Sequence, residues 1–184
     1  MKAYGDNGPM DEPRLLLAPG ASGNAARLRP MLDGLAGRGV AAAAVSLPRG
    51  PAERALPAWR AAVTAQRLPA GRLVIGGQSF GGRVASLLAA SGEIEPRGLV
   101  LLCFPLHPPG HPERAAERSA HFAAIRCPVL LLSGESDPFA QLPLLRDAVA
   151  HLPNAELVTY PRIGHSLAPV LDDALDRIAA FALR

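Results

Sequence analysis

A serine with glycines two residues before and two residues after it constrains this chain more than any other feature. Gly77-Gln78-Ser79-Phe80-Gly81 follows the apolar run Leu73-Val74-Ile75 and precedes a stretch rich in Ala and Leu, which predicts a strand, a sharp turn and a helix. Side chains at positions 77 and 81 would collide with neighbouring backbone in so tight a turn, so hydrogen is the tolerated substituent. The pattern predicts a strained serine whose hydroxyl stands free at a sheet edge. It also predicts that the N–H of Phe80, which begins the helix, lacks a helical partner and faces incoming negative charge.

Strand-like and helix-like segments alternate along the whole chain. Most strand segments are continuous apolar runs, which is typical of strands covered on both faces. The predicted strands are 14–18, 40–46, 72–76, 98–103, 129–133 and 156–160, and the predicted helices are 25–38, 53–68, 80–91, 113–125, 142–151 and 170–183. This alternation predicts a single α/β domain over residues 1–184 with one doubly wound, mostly parallel sheet of about six strands. Residues 1–13 are polar and are predicted to form a loose N-terminal segment.

Composition narrows the classes of partner. The chain has 184 residues, of which 49% are hydrophobic but only 4% aromatic, so the core must consist mostly of Ala, Val and Leu. The net charge is +3, but the arginines are scattered and do not form the patch that a nucleic-acid surface requires. No apolar stretch approaches the roughly 20 residues that span a bilayer, and the N-terminus lacks the pattern of a signal peptide. We therefore expect a cytoplasmic protein that binds neither nucleic acid nor membrane, and the sequence leaves its oligomeric state open.

The sequence also predicts that no cofactor is needed. Cys103 and Cys127 adjoin predicted strands, which favours reduced core residues over a disulfide. Neither has a second cysteine or a histidine at the spacing of a zinc site. The stretch from Gly76 to Gly82 fits neither the dinucleotide-binding glycine pattern nor the phosphate loop, which requires a lysine. We therefore expect neither a metal nor an organic cofactor.

Two polar residues downstream of Ser79 provide what a nucleophilic serine requires. A serine hydroxyl attacks well only when a base removes its proton. Asp137 follows the apolar strand 129–133, and His165 follows the strand 156–160. Because loops after parallel strands open at the same carboxyl edge, Ser79, Asp137 and His165 are predicted to meet there. His165 would take the proton from Ser79 and later give it to the leaving group, while Asp137 would orient the imidazole. Glu135 is the competing acid, and Asp137 could instead cap the next helix.

A tetrahedral intermediate requires two N–H donors for its oxyanion. The N–H of Phe80 is one candidate, and the N–H of Ala21, in the loop of small residues after the first strand, is the other. The candidate substrate-binding residues are Gln78, Phe104, Leu106 and Phe139. For Phe104, Leu106 and Phe139 the sequence leaves open whether they line an acyl pocket or only cover strand ends.

The Gly-x-Ser-x-Gly turn, followed in chain order by Asp137 and His165, resembles the α/β-hydrolase superfamily. The resemblance covers nearly the whole chain from Leu15 onward and implies a metal-free serine hydrolase. Such an enzyme would cleave an ester, or a thioester or amide, in a small molecule through an acyl-enzyme. Family members often carry His-Gly where this chain has Pro19-Gly20, which removes a possible side-chain hydrogen bond and leaves the backbone donor.

Phe104-Pro105-Leu106-His107-Pro108-Pro109, together with the compact length, resembles a branch that is similar to dienelactone hydrolases. That branch also contains a subunit of a chromatin-associated acetyltransferase complex. The relative suggests an alternative function, a catalytically silent binding module within a protein complex. The stretch between Cys103 and Val129 is too short for a cap domain, so the site should be open.

The remaining histidines and the tryptophan have simpler interpretations. His107, set among prolines, is predicted to make a structural hydrogen bond or a contact at the rim of the site. His111, His121 and His151 are predicted to be exposed. Trp59, on an Ala-rich helix, is predicted to pack in the core instead of forming a platform for substrate.

Overall fold

The computed structural model describes residues 15–21, 24–66 and 70–184. In these ranges six strands form one fully parallel sheet, ordered β2-β1-β3-β4-β5-β6, which confirms the predicted α/β architecture. The strands are β1 (Leu15–Ala18), β2 (Ala42–Ala44), β3 (Val74–Gln78), β4 (Gly98–Leu102), β5 (Val129–Gly134) and β6 (Ala155–Tyr160). The predicted loose segment 1–13, residue 14 of the first predicted strand and residues 67–68 of the helix predicted over 53–68 lie outside the described residues.

Helices connect the strands on both faces of the sheet. They are α1 (Arg29–Ala36), α2 (Ala52–Ala65), α3 (Phe80–Ala90), α4 (Ala115–Ser119), α5 (Leu142–Val149) and α6 (Leu171–Leu183). The helix predicted over 25–38 begins as a 3-10 turn, Ala25–Leu28, in which the Asn24 side chain accepts the N–H of Ala26. The helix predicted over 113–125 is interrupted, because the chain turns after α4 and directs Phe122 into the core. Only this short connection lies between β4 and β5, so the sheet edge carries no cap there, as predicted.

The alternation of side chains along the strands divides the core into two layers. Leu15 and Leu17 of β1 face the layer that α1 and α6 cover, whereas Leu16 and Ala18 face the layer that α2, α3 and α5 cover. Trp59 of α2 is fully buried in the second layer, which confirms its predicted packing role. No helix among the described residues has the length and apolar character needed to cross a bilayer.

The strand order places a ligand crevice at a defined position. β1 pairs with β2 on one side and with β3 on the other, so the chain reverses its direction of travel across the sheet at β1. Open α/β sheets bind ligands at such a switch point, outside the carboxyl ends of the strands. The loop after β1 and the serine turn after β3 flank this crevice.

His121 is half-buried, so the prediction that it is exposed was wrong, whereas His111 and His151 are exposed as predicted. The Ser86 hydroxyl donates to the carbonyl of Arg83, so the His121 Nε2–H donates in turn to Ser86 Oγ at 2.8 Å. The imidazole also packs edge-on against Phe122, with ring centroids 5.1 Å apart. Burial, and then the charge of Arg83, lower the pKa of His121 to about 4.

We expect this histidine to make the fold sensitive to acid. Between its ordinary pKa of 6.5 and the lowered value of about 4, the unfolded chain binds a proton that the folded protein excludes. Wherever the unfolded state holds more protons, stability decreases as the pH is lowered. The loss here amounts to roughly 3 kcal/mol at most. Urea unfolding across this range should show a shallower decline for His121→Gln than for the wild type. The control His151→Gln, at an exposed site, should decline like the wild type, and equal slopes for all three proteins would refute this assignment.

Candidate active site

The serine turn at the end of β3 has strained backbone geometry. Ser79 has φ 48° and ψ −114°, in a region that side-chain-bearing residues rarely occupy. A Cβ added to Gly77 would collide with the carbonyl oxygen of Ala18, and a Cβ added to Gly81 would collide with the same group. The predicted steric role of both glycines is therefore confirmed. The N–H of Ser79 donates to the carbonyl of Leu102 at 2.8 Å, which fixes the turn to β4.

The structure brings Ser79, His165 and Asp137 into one continuous hydrogen-bonded chain. His165 Nε2 lies 2.8 Å from Ser79 Oγ. On the other side of the ring, His165 Nδ1 lies 2.7 Å from Asp137 Oδ2 and 2.9 Å from Oδ1. The carboxylate of Asp137 has no exposed surface, whereas 23% of the His165 side chain is exposed. The buried carboxylate of Asp137 thus faces the partly exposed imidazole of His165, which in turn faces Ser79 Oγ.

Hydrogen bonds between the two loops bring the acid and the histidine together. The N–H of Ser136 donates to the carbonyl of Ile163 at 2.9 Å, and the N–H of Glu135 donates to the carbonyl of Tyr160 at 3.0 Å. A Cβ on Gly134 would collide with the Ile163 carbonyl, so glycine is required at this close approach. The carboxylate of Glu135, the competing acid, accepts a hydrogen bond from the Thr159 hydroxyl at 2.8 Å instead of contacting His165.

Phe139 organises the same loop. Its N–H donates to Asp137 Oδ1 at 2.8 Å, so Asp137 caps its own turn and also faces His165. The half-buried ring of Phe139 lies against the His165 imidazole, with centroids 4.3 Å apart and planes inclined by 37°. Sequence reasoning placed Phe139 among the substrate-binding residues and missed this contact with the imidazole.

The loop after β1 lies against the serine turn. A Cβ on Gly20 would come 3.6 Å from Ser79 Cβ and 3.8 Å from the carbonyl of Gln78. Ala21 follows Gly20 and is exposed, and residues 22–23 of the same loop lie outside the described residues. Phe80 is the first residue of α3, so its N–H belongs to the first-turn donors that have no partner within the helix. Phe80 thus follows Ser79 directly, and Ala21 follows the glycine that lies against the serine turn.

Two of the candidate substrate-binding residues lie in the hydrophobic core. Phe104 and Leu106 have no exposed surface, and the Phe104 ring packs 5.1 Å from the ring of Phe122. This burial favours covering strand ends, one of the two roles that the sequence left open for them. Gln78 is half-buried and lines a cavity at the sheet edge.

That cavity has a volume of about 100 Å³ and a mostly apolar wall. It is lined by Gln78, Cys103 and Ser166. Gln78 precedes Ser79 in the sequence, and Ser166 follows His165. The start of α1, the end of β4 and the segment after His165 supply the apolar residues, which are Pro30, Met31, Leu102, Leu167, Ala168 and Leu171. The cavity thus adjoins the serine and the histidine on the side of the sheet that α1 and α6 cover.

Neither cysteine forms a disulfide among the described residues; Cys103 is buried and Cys127 is half-buried. Cys103 has φ 49°, an unusual left-handed conformation that the sequence did not indicate. Burial, and then the nearby charge of Asp137, raise the pKa of the Cys103 thiol to about 12, and burial raises that of Cys127 to about 11. A neutral thiol is a poor nucleophile, so neither cysteine is activated for attack. Within the described ranges no group of three or more His, Cys, Asp and Glu residues is arranged to hold a metal ion.

A family model described as an alpha/beta hydrolase domain matches residues 45–180. No curated protein has a significant sequence match to the chain. Monoacylglycerol lipase from Paleococcus ferrophilus has a TM-score of 0.80 at 14% identity, over 94% of this chain and 95% of that one. Est1E from Butyrivibrio proteoclasticus has a TM-score of 0.76 at 19% identity, over 97% and 90%. A hydrolase from Pseudomonas aeruginosa PA01 has a TM-score of 0.73 at 18% identity, over 92% and 89%. At these identities the likeness to the solved structures concerns the fold.

Proposed function

The chain belongs to the alpha/beta hydrolase domain family, and on that premise we propose that it is a serine hydrolase that cleaves an ester through an acyl-enzyme. The observation that carries the proposal is the continuous chain from Asp137 through His165 to Ser79, with heavy-atom distances of 2.7 and 2.8 Å. Three residue types meet in the order that nucleophilic catalysis requires, and a binding module has no need for that arrangement. The monoacylglycerol lipase among the structural neighbours favours an ester over a thioester or an amide.

The proposed reaction assigns one task to each group. His165 Nε2 accepts the proton of Ser79 as the serine oxygen attacks the carbonyl carbon of the ester. The oxygen of the resulting tetrahedral intermediate takes hydrogen bonds from the N–H groups of Phe80 and Ala21. The imidazolium, stabilised by the buried carboxylate of Asp137, then protonates the departing alcohol as the carbon–oxygen bond breaks. A water molecule, deprotonated by His165, attacks the acyl-enzyme, releases the acid and restores Ser79.

The cavity beside Gln78 supports a small substrate. Its volume of about 100 Å³ is smaller than the roughly 150 Å³ of an apolar cavity that admits benzene. With mostly apolar walls, it suits a short alkyl or acyl group of the ester. The absence of a cap between β4 and β5 leaves the rest of the substrate in solvent.

We expect Ala168→Leu to narrow the range of substrates. The new side chain would fill part of the cavity at its exposed rim, so the preference should shift toward esters with shorter apolar groups. The ratio of kcat/KM for the butyrate ester to kcat/KM for the acetate ester should fall by about 10-fold. A series of p-nitrophenyl esters measures this ratio. The control is Ala180→Leu, at an exposed position on α6 outside the cavity. An unchanged ratio in Ala168→Leu would mean that the substrate does not use this cavity.

A fluorophosphonate probe tests the proposed function. Such probes phosphonylate a serine only when a neighbouring base activates it, so the proposal expects one adduct, on the peptide that contains Ser79. Heat-unfolded protein is the control and should not react. A folded protein that stays unlabelled would favour the alternative, a catalytically silent binding module. The resemblance to the dienelactone hydrolase-like branch, which rests on residues 104–109, and the cytoplasmic location remain predictions.

A further inference from the structure

His107 is buried, with 1% of its surface exposed, and both of its ring nitrogens have partners. Nδ1 lies 2.9 Å from the carbonyl oxygen of Pro108, and Nε2 accepts the backbone N–H of Gln141 at 3.1 Å. An amide N–H can only donate, so Nε2 carries a lone pair and the ring proton is on Nδ1, where it donates to Pro108. The two partners therefore hold the ring in one tautomer.

The backbone of His107 contacts the same segment a second time. Its N–H donates to the carbonyl of Phe139 at 2.9 Å, while its ring accepts from Gln141. These two bonds, on either side of Ala140, tie the loop after β4 to the loop after β5. Gln141 is the residue before α5, and its side chain makes no capping bond, so the bond to His107 orients the entry to that helix.

Residues 139–141, which His107 contacts through these two bonds, also position Asp137. The N–H of Phe139 donates to Asp137 Oδ1 at 2.8 Å, and the N–H of Ala140 donates to the carbonyl of Asp137 at 3.1 Å. The Phe139 ring packs 4.3 Å from the ring of His165. A displacement of residues 139–141 would therefore move the carboxylate relative to the imidazole and remove the aromatic contact that supports the imidazole.

We propose that His107 is a positioning residue, which fixes Asp137 and Phe139 against His165 through its bond to Gln141. The inference rests on the proposed function, because it concerns the geometry of the same site. His107 itself contacts neither the serine nor the imidazole in any hydrogen bond that the structure records for the described residues. Its contribution is the rigid placement of groups that do, and misplacing a catalytic group by about 1 Å can cost about 10²-fold in rate.

Two substitutions break the bond from opposite sides. His107→Leu removes the acceptor. Gln141→Pro, at a φ of −55° that suits proline, removes the donor and places the ring Cδ where the amide hydrogen faced His107 Nε2. We expect each to lower kcat by about 10- to 100-fold and to leave KM within about twofold. The double variant should be no slower than His107→Leu, because both changes remove one interaction. His107→Gln, whose amide oxygen can accept from Gln141, should restore most of the rate, and His111→Leu, at an exposed histidine on the same connection, is the matched control.

Amide hydrogen exchange provides a readout that does not depend on turnover. In His107→Leu the exchange of the Phe139 and Gln141 amides should accelerate, while that of strands β3 and β4 stays as in the wild type. Wild-type kcat in both His107→Leu and Gln141→Pro, additive losses in the double variant, or unchanged exchange at Phe139 would each overturn the inference. These results are distinct from failure of the proposed function, in which the fluorophosphonate would leave Ser79 of the wild type unlabelled.

Discussion

Ser79→Ala should lower the rate of p-nitrophenyl ester hydrolysis by about 10⁴-fold or more and leave the fold intact. The substitution deletes the oxygen that lies 2.8 Å from His165 Nε2, and no second nucleophile takes its place, because the Cys103 thiol is neutral and buried. Alanine keeps the Cβ of serine, so the strained backbone of the turn is unchanged. Steady-state kinetics measure the loss, and circular dichroism with thermal unfolding measures the fold.

The matched control is Ser136→Ala, at an exposed serine next to Asp137. It removes a hydroxyl from the same edge of the sheet and should retain wild-type turnover. If Ser79→Ala hydrolysed esters at the rate of Ser136→Ala, another group would be the nucleophile and the proposed mechanism would be wrong.

Gly81→Ala should destabilise the protein by more than about 3 kcal/mol, although alanine favours helices over glycine by about 1 kcal/mol. Gly81 lies in the first turn of α3, and its added Cβ would collide with the carbonyl oxygen of Ala18 and come within 2.6 Å of the Pro19 oxygen. These are backbone atoms of β1 and the loop after it, so the contact cannot be relieved by rotating a side chain. Urea unfolding monitored by circular dichroism measures the change in free energy.

Gly37→Ala is the control for this second prediction. Gly37 has φ −60°, and its added Cβ would meet nothing closer than the Gly34 carbonyl at 3.6 Å. Its free energy of unfolding should stay near the wild-type value. A Gly81→Ala protein as stable as Gly37→Ala would show that the serine turn is looser than the structure indicates.

The strand prediction missed the end of β3 for a steric reason. The apolar pattern predicts a strand over 72–76, whereas the strand runs Val74–Gln78. Gly76 and Gly77 belong to the strand but contribute no hydrophobic signal. Glycine is required there because a Cβ at Gly76 would collide with the Val100 carbonyl and a Cβ at Gly77 with the Ala18 carbonyl. Residues selected for close backbone approach do not appear in a hydrophobic pattern.

For the site, the sequence identified which side chains meet but not how they are held. Strand order and a common sheet edge predict that Ser79, Asp137 and His165 converge, and the structure brings them together. The clamp by His107 depends on a partner 34 residues away, for which a single sequence carries no signal. The burial of Phe104 likewise follows the left-handed turn at Cys103, a conformation that cysteine does not favour.

The most direct test of the central claim is the mass of the protein quenched in acid during turnover of a p-nitrophenyl ester. The account predicts a transient covalent acyl group on the peptide that contains Ser79, and no such adduct in Ser79→Ala. Steady turnover of the wild-type protein with no acyl group on Ser79, or with the acyl group on another residue, would contradict it.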